Sequence, residues 1–281
     1  MKKAIQQMMI GPLCSKYDET LSLLKKLKEL GFDAIELNSY MIHETPFMVR
    51  MLTKMAGMPT GKGGKLDWHK LIKESSLEVA SLHTDLGSLE RETDKIISEA
   101  KEFNTKYLVI TGMYRFDYSS IDELDKLISR LNIVGKKVSD NGLSLLYHNH
   151  NVEFNRLNNG QLAYEYLIDN LDPKYVNFEL DTYWASEAGV NIYALGEKLN
   201  HRLKLHHIND RGFKTKGPYM TPIVKSDSME LGTGCIDLKT LLKNDIDNEV
   251  SYVVLETHKN FIDNDRMKSI LISIKYLNEN L

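Results

Sequence analysis

Apolar runs rich in β-forming residues alternate with longer segments of helical period along this chain. The apolar runs predict strands, and in chain order they are AIQQMMIG, FDAIELNS, LEVASLHTD, KYLVITGM, LSLLYHNH, VNFELDTYW, LKLHHIND and SYVVLETH. Polar and charged residues accumulate towards the end of most of these runs. The pattern therefore predicts eight strands separated by helices.

The segments between the strands have the spacing of amphipathic helices. In DETLSLLKKLKELG, Leu21, Leu24, Leu27 and Leu30 recur at helical intervals, and Gly31 stands where a helix would end. SIDELDKLISRLNIVGKKVSDNG and DRMKSILISIKYLNENL have the same pattern. These three segments are predicted helices.

Eight strand and helix alternations in 281 residues favour a closed barrel over an open doubly wound sheet. The fold class predicted is α/β, as a single (β/α)8 TIM barrel over residues 1–281. No GxGxxG motif follows an early strand, which weakens a dinucleotide-binding alternative. Segments 51–70 and 211–234 are long and rich in Gly, Lys, Met and Pro, and both follow strands. In a barrel they would lie over the C-terminal mouth, where substrate loops belong.

Charge and cysteine content narrow the function classes. The chain has 36 Lys plus Arg against 39 Asp plus Glu, a net charge of −3, and no basic block to match nucleic acid. Cys14 and Cys235 lie far apart and form no CxxC motif, as expected of a reduced, cytoplasmic protein. The segment MKKAIQQMMIGPL is too short and too interrupted for a signal or a membrane span, so no membrane association is expected.

Ionisable residues gather at the C-terminal ends of six predicted strands, where the active sites of (β/α)8 barrels lie. These residues are Glu36, His83, Asp85, His148, His150, Glu179, Asp181, His206, His207, Asp210, Glu256 and His258. Alternate residues of a strand share a face, so His148 and His150 point together, as do Glu179 and Asp181. Glu153 follows on the loop and can fold back over the same mouth.

A single strand-end His is more often a hydrogen-bonded structural residue than a ligand, and Glu36 is explained equally well by a pair with Lys or Arg. The whole set is different, because several carboxylates and imidazoles in one mouth need compensation of their charge. A divalent cation is the simplest compensation, and ligands without thiolate suit Mn²⁺, Mg²⁺, Co²⁺, Fe²⁺ or Zn²⁺. Trp184 is either a core residue or an apolar wall for a sugar ring, and the wall is favoured.

The ordered set YHNHNVEF, ELDTYW, HHIND, ELGTGCID and ETH resembles the xylose isomerase-like TIM-barrel superfamily, which includes sugar phosphate isomerases and epimerases. The resemblance spans essentially the whole chain. It implies one divalent metal ion at the barrel mouth, held by acidic and His ligands from the last four barrel strands. Mn²⁺ is the ion most expected from the resemblance.

Carried over residue by residue, the resemblance assigns three metal ligands to Asp181, His207 and Glu256. Many members end strand five with Glu, where this chain has His148, and Glu153 follows in a motif typical of the YHNHxxEF branch. Glu153 is the preferred first ligand, with His148 and His150 as catalytic residues directed at the substrate. The sequence leaves open the reverse assignment, in which His148 is the ligand.

The remaining candidates are expected to bind substrate, and they are Glu36, His83, Trp184, Asp210 and Glu230. Glu230 either approaches the mouth or caps the lid. Where HxKD is common in the superfamily, this chain has His207, Ile208, Asn209 and Asp210. The missing lysine makes a phosphorylated substrate less expected.

The chemistry implied is removal of a proton next to the carbonyl of a sugar or keto-sugar, giving isomerisation or epimerisation. Loss of a β-substituent instead would give a lyase. The YHNH-type branch also resembles the catalytic subunits that deglycosylate 3-oxo-C-glycosides with a small partner subunit. A sugar or glycoside ligand is expected, and the sequence leaves open a homo-oligomer or a small partner subunit.

Two other classes fit less well. An AP endonuclease uses three metals and a basic DNA surface, which the net charge of −3 disfavours. A sugar-binding protein without catalysis would not need so many ionisable residues around one metal.

Overall fold

Parallel strands close into a barrel in the computed structural model, which describes residues 1–44, 51, 63–214 and 217–281. Within these residues the barrel strands are β1 (Lys2–Gln6), β2 (Ala34–Asn38), β3 (Glu78–Thr84), β4 (Tyr107–Thr111), β5 (Ser144–His148), β6 (Val176–Asp181), β7 (Leu203–Ile208) and β10 (Tyr252–Leu255). β1 pairs in parallel with both β2 and β10, which closes the barrel. The predicted (β/α)8 barrel is confirmed.

Short strands β8 (Asp210–Gly212) and β9 (Asp227–Met229) form an antiparallel pair after β7. Apart from Asp210, they belong to the long segment 211–234 that the sequence places over the mouth, of which residues 215 and 216 lie outside the described residues. Of the other long segment, 51–70, residues 52–62 lie outside them as well.

Helices occupy the connections between the strands. Their bounds are Gln7–Ile10, Tyr17–Glu29, Ser39–Ile42, Trp68–Ser75, Leu86–Arg91, Thr93–Glu102, Ile121–Asp140, Ala163–Asn170, Thr182–Glu187, Ile192–Leu199, Leu238–Asp247 and Arg266–Asn280. Single 3₁₀ turns cover Gly11–Leu13, Gly63–Lys65, Val152–Phe154, Asn200–Arg202 and Ile262–Asn264. Each helix in the described part of the chain is too short or too polar to cross a bilayer.

The three helices predicted from periodicity are present, and side-chain caps fix two of their starts. Ser120 Oγ accepts the N–H of Glu123 at 3.3 Å before Ile121–Asp140. Asp265 Oδ1 accepts the N–H groups of Met267 and Lys268 before Arg266–Asn280. Such caps stabilise a helix by about 1 kcal/mol. Gly31, with φ +104°, follows the end of Tyr17–Glu29, in a conformation that glycine adopts without strain.

The first predicted strand is too long. In AIQQMMIG the strand ends at Gln6, and Gln7–Ile10 is a short helix. Gln6 is the reason, because its side-chain oxygen accepts the N–H of Met8 at 3.1 Å and caps a helical turn. The turn buries Met9 and Ile10 in the layer between the barrel and its helices.

Small and aliphatic side chains form the apolar part of the barrel interior. Two buried clusters lie there, Ala4 with Ala34, Ala80 and Val254, and Val109 with Leu146 and Leu205. The residue two positions after several of these shares its face and is polar. These polar residues are Gln6, Glu36, His148, His207 and Glu256, all buried. The pleat therefore places a polar layer directly above an apolar floor.

The two cysteines differ in burial and should differ in reactivity. Cys14 is buried, its thiol donates to the carbonyl of Ile10 at 3.4 Å, and burial raises the pKa of Cys14 to about 12. Cys235 is exposed. Because the thiolate is the reactive form, we expect a disulfide reagent at mildly alkaline pH to label Cys235 alone in the folded protein, and both thiols in denaturant. Absorbance of the released thiol measures this, and Cys235→Ser should abolish the fast reaction. Rapid labelling of both thiols without denaturant would contradict it.

Candidate metal centre at the barrel mouth

Asp181 ends β6 at the centre of the mouth, and its two carboxylate oxygens have different surroundings. Oδ1 accepts the N–H of Trp184 at 3.1 Å and caps the helix Thr182–Glu187. Oδ2 is buried and has no hydrogen-bond partner. A buried carboxylate oxygen without a donor is costly. Its free state indicates a site for a cation.

Three imidazole nitrogens and a second carboxylate surround Asp181 Oδ2. His148 Nε2 lies 3.9 Å from it, and His207 Nδ1 and His258 Nε2 each lie 3.8 Å from it. Glu256 Oε2 lies 2.8 Å from His207 Nδ1 and 3.8 Å from His258 Nε2. Glu256 Oε1 and His258 Nε2 are buried without hydrogen-bond partners. We refer to His148, Asp181, His207, Glu256 and His258 as the mouth cluster.

The mouth cluster fits a divalent ion. Metal bonds to imidazole nitrogen and carboxylate oxygen are about 2.0–2.2 Å long, so two atoms 3.8 Å apart can bind the same ion. Subsets of the cluster, His148 with Asp181 and His207, and Asp181 with Glu256 and His258, place their ligand atoms within 4.8 Å of one another. The set contains oxygen and imidazole donors without thiolate, which is compatible with several first-row divalent ions.

The histidines of the mouth cluster keep the carboxylate of Glu256 ionised. Burial alone would raise the pKa of Glu256, but the neighbouring His258 and His207 outweigh it and lower that pKa. Burial likewise opposes the charge on His258, and Glu256 and Asp181 raise its pKa nonetheless. An ionised carboxylate is the form that binds a metal ion.

A second group of ionisable residues lies beneath the mouth cluster, formed by Glu36, His83 and Glu179. Glu179 Oε2 lies 2.9 Å from His148 Nδ1 and 3.1 Å from His83 Nε2, and Oε1 lies 3.3 Å from His207 Nε2. All three residues of the group are buried. We call this group the lower layer.

Glu36 completes the lower layer on the opposite side of the barrel. Its Oε2 lies 2.5 Å from His207 Nε2 and accepts from Gln6, and its Oε1 accepts from Ser81 and lies 3.1 Å from His83 Nε2. Burial alone would lower the pKa of His83, but Glu36 and Glu179 raise it to about 10. The predicted substrate-binding residues Glu36 and His83 are therefore held under the cluster, with 0% and 6% of their surface exposed.

Aromatic rings line one side of the mouth cluster. The ring of Trp184 lies 4.9 Å from that of His258 and 5.9 Å from that of His150, and Tyr183 packs against both Trp184 and His258. Trp184 Nε1 is buried without a hydrogen-bond partner. Trp184 thus lies beside the cluster, where the sequence places a wall for a ring.

His150 stands at the edge of this aromatic side. Its ring lies 5.2 Å from that of His148, and it is half-buried. Burial and the neighbouring His148 lower the pKa of His150 to about 3. Its imidazole is therefore neutral at physiological pH, with one ring nitrogen unprotonated.

Glu153, the first ligand preferred from the sequence, lies outside the mouth cluster. The 3₁₀ turn Val152–Phe154 places its carboxylate behind β5, where Oε1 accepts the hydroxyl of Tyr147 at 3.1 Å and Oε2 accepts the N–H of His150 at 3.0 Å. Tyr147 points away from the barrel interior because it alternates with His148. His148, the assignment that the sequence leaves open, occupies the place beside Asp181 instead.

Asp210 and Glu230 are bound within the loops around the mouth. Asp210 accepts the backbone N–H groups of Arg211, Gly232, Gly234 and Ile236. A Cβ on Gly234 would lie 2.2 Å from Asp210 Oδ1, so only glycine allows this approach. Glu230 Oε1 accepts the N–H of Ile262 at 2.9 Å and the hydroxyl of Ser269 at 2.5 Å. Both carboxylates hold loops together. For Glu230 this agrees with the second alternative from the sequence, in which it caps the lid and does not approach the mouth.

Some residues of the site have no role assigned from the sequence. Glu179 and His258 stand at strand ends and so were among the candidate residues, but the family resemblance assigned neither of them a role. Asn149 accepts the N–H of Asp181 at 2.9 Å and donates to its carbonyl at 3.1 Å. Asn209, at the place of the absent lysine, donates to the carbonyl of Glu256 and accepts the hydroxyl of Ser228. No sequence signal indicated that these two asparagines connect the ends of neighbouring strands by hydrogen bonds.

The fold and the cluster define a (β/α)8 barrel with a candidate divalent metal centre at its C-terminal mouth. A family model described as "Xylose isomerase-like TIM barrel" matches residues 24–278. The chain belongs to this family.

Individual relatives are more distant. An inosose dehydratase of Bacillus velezensis is 26% identical over 200 residues, which are 66% of this chain and 64% of that protein, so the match covers less than two thirds of the relative. A solved sugar phosphate isomerase/epimerase from Parabacteroides distasonis is 19% identical with a TM-score of 0.76, covering 98% of this chain and 93% of that one. The IolI protein with a bound zinc atom is 15% identical with a TM-score of 0.68, covering 99% and 97%. At these identities the solved structures show the shared fold.

Metal titration separates the two candidates for the first ligand. We expect His148→Ala to weaken binding of Mn²⁺ at least tenfold, because it removes an imidazole from the cluster. Glu153→Gln should leave the number of bound ions and their affinity unchanged and lower the free energy of unfolding by about 1–3 kcal/mol, since it disturbs a buried acceptor. Calorimetric titration and urea unfolding measure the two quantities. Loss of the ion in Glu153→Gln, with His148→Ala binding normally, would restore the first assignment.

The contacts of Asp210 predict a structural role. Asp210→Ala leaves four backbone N–H groups without their acceptor, so we expect the free energy of unfolding to fall by roughly 2–4 kcal/mol. Metal affinity should not change. If Asp210→Ala keeps its stability and binds substrate more weakly, Asp210 is a substrate-binding residue, as predicted from the sequence.

Proposed function

We propose that this protein is a divalent metal-dependent enzyme that removes a proton next to the carbonyl of a sugar or keto-sugar, giving isomerisation or epimerisation. One observation carries the proposal. At the barrel mouth, beside an aromatic wall, the buried Asp181 Oδ2 faces imidazole nitrogens without a hydrogen-bond partner, and Glu256 Oε1 is also buried without one. Such a cluster would be costly without a cation.

The ligands of the ion would be His148 Nε2, Asp181 Oδ2, His207 Nδ1 and Glu256, with His258 Nε2 beside them. When bound, a divalent ion polarises a carbonyl and stabilises the negative charge that follows loss of the adjacent proton. Mn²⁺ remains the first expectation, and the zinc bound by the related IolI protein supports testing Zn²⁺ beside it.

The protein's own groups would move the proton and hold the sugar. His150 stands beside the cluster, with its ring 5.2 Å from that of His148, and would accept a proton from a carbon next to the carbonyl. Trp184 offers an apolar face to the C–H groups of a sugar ring and excludes water from that side.

The substrate proposed carries no phosphate. At position 209, where a lysine would offer a cation, Asn209 is buried and committed to Glu256 and Ser228. Of the other basic groups, Arg211 is paired with Glu187. These contacts favour a neutral sugar over a sugar phosphate.

Elimination is the second candidate, and the similarity to an inosose dehydratase favours it. Removal of the proton next to a carbonyl is common to both reactions, and they differ in whether the proton returns or a β-substituent leaves. A 3-oxo-glycoside would lose its aglycone in this way.

Exchange with deuterium tests the shared step without knowledge of the product. With Mn²⁺ present, free ketoses, inososes and 3-oxo-glucosides are incubated in D₂O, with ketose phosphates as the comparison, and followed by mass spectrometry. We expect deuterium next to the carbonyl of at least one of these, and its loss after chelation. His150→Gln should abolish exchange while the ion still binds, because it removes the proton acceptor alone. Exchange confined to ketose phosphates would contradict the substrate class, release of an aglycone or of water would favour elimination, and exchange in no carbonyl sugar would contradict the proposal.

A further inference from the structure

We infer that Glu179 is a positioning residue that orients the two imidazoles His148 and His207, so that they present opposite ring nitrogens to one metal ion. The inference rests on the metal site proposed above and adds a role for a residue below it. Glu179 is fully buried and lies two positions before Asp181 on the same face of β6.

The two rings contact Glu179 through different nitrogens. His148 Nδ1 lies 2.9 Å from Glu179 Oε2, and its other nitrogen, Nε2, faces Asp181 Oδ2 at 3.9 Å. His207 Nε2 lies 3.3 Å from Glu179 Oε1, and its Nδ1 faces Asp181 Oδ2 at 3.8 Å. A neutral imidazole that donates one N–H keeps a lone pair on the other nitrogen. The contact with Glu179 therefore selects the Nδ1–H form of His148. His207 has carboxylates at both nitrogens, Glu36 and Glu179 at Nε2 and Glu256 Oε2 at Nδ1, 2.8 Å away. Once an ion takes Glu256 and Asp181 as ligands, Nε2 keeps its two acceptors, so the Nε2–H form is expected in the metal-bound protein.

The position of Glu179 explains why one carboxylate serves both rings. It is paired with His148 in the register of β5 and β6, while His207 comes from β7 on its other side. Its Oε2 is hydrogen-bonded to His148 Nδ1, whereas its Oε1 faces His207 Nε2 at 3.3 Å without forming a hydrogen bond. His207 has a second acceptor in Glu36 Oε2 at 2.5 Å, whereas the Nδ1 contact of His148 is with Glu179. Loss of Glu179 should therefore disturb His148 more than His207.

The lower layer could instead bind a second ion, because Glu36, His83, Glu179 and His207 also place ligand atoms within 4.8 Å of one another. Two contacts disfavour this. Both oxygens of Glu36 already accept side-chain donors, from Ser81 and from Gln6. His207 would have to bind ions through both nitrogens and so lose both protons. Glu179 Oε1 and His83 Nε2 have no hydrogen-bond partner, but oppositely charged groups lie 3.1–3.3 Å from them. These ion pairs compensate the charge without a second ion.

The isosteric variant Glu179→Gln tests the inference in the full-length protein. Calorimetric titration with Mn²⁺ should show one ion in both proteins and a Kd raised about 10- to 100-fold in the variant, the usual effect of removing a carboxylate that orients a metal-binding His. With Co²⁺, the visible absorption of the variant should change, because one imidazole is no longer fixed.

Asp245→Asn is the matched control. It also removes a buried carboxylate paired with a histidine of β7, since Asp245 Oδ2 lies 2.5 Å from His206 Nδ1, but this pair faces the helices instead of the mouth. It should lower thermal stability and leave the Mn²⁺ affinity and the Co²⁺ spectrum unchanged.

The wild-type protein provides a test that needs no folded Glu179 variant. With ¹⁵N-labelled histidine and Zn²⁺, nitrogen chemical shifts should show His148 protonated at Nδ1 and bound through Nε2, and His207 protonated at Nε2 and bound through Nδ1. His148→Ala and His207→Ala assign the signals. The same nitrogen binding in both rings would overturn the inference.

The outcomes separate this inference from the proposed function. If the wild-type protein binds no divalent ion, both fail. If the ion binds and Glu179→Gln leaves its Kd unchanged, the positioning role alone fails. Two ions in the wild-type protein and one in Glu179→Gln would identify Glu179 as a direct ligand and overturn the positioning role.

Discussion

The cost of burying carboxylates inside the barrel is the constraint on which this site depends. Glu36, Glu179, Asp181 and Glu256 are all at most 3% exposed. Buried charge is tolerated only when donors or cations compensate it. Glu179, Asp181 and Glu256 each keep one oxygen without a hydrogen-bond partner. For Glu179 an imidazole nitrogen, His207 Nε2, lies 3.3 Å from that oxygen, whereas the imidazole nitrogens around Asp181 Oδ2 lie 3.8 Å or more away. Imidazoles thus approach the lower carboxylates more closely than Asp181, which makes Asp181 the better candidate to bind a cation.

The period of a β-strand generates this layering from a simple sequence pattern. Alanine, valine and leucine positions form the floor, and the next inward position on several strands is polar. β6 carries two such positions, Glu179 and Asp181, and so contributes to both layers. The same pleat that packs the core therefore determines which acid compensates histidines and which is free to bind an ion.

The sequence predicted the barrel, its long helices and the strand-end location of Asp181, His207 and Glu256, because these follow from periodicity and from an ordered set of motifs. It could not decide between His148 and Glu153. Both lie near one strand end, and only the turn Val152–Phe154 determines that Glu153 faces Tyr147. The loop contacts of Asp210 were equally hidden, because its four partners are backbone N–H groups, three of them more than twenty residues away. Hydrogen bonds between a side chain and distant backbone N–H groups cannot be predicted from residue types alone.

The mouth cluster is held in place by protein contacts that need no metal ion. Asn149 bonds to the backbone of Asp181 across β5 and β6, and Asn209 bonds to the carbonyl of Glu256 across β7 and β10. Glu179 and Glu36 orient the imidazoles from below. Because the ligands are positioned by a barrel with its own core, an ion would bind a folded protein and add only its binding free energy to stability. This differs from small zinc domains, which fold only with their metal, and it suits an enzyme that works with an open coordination position for substrate.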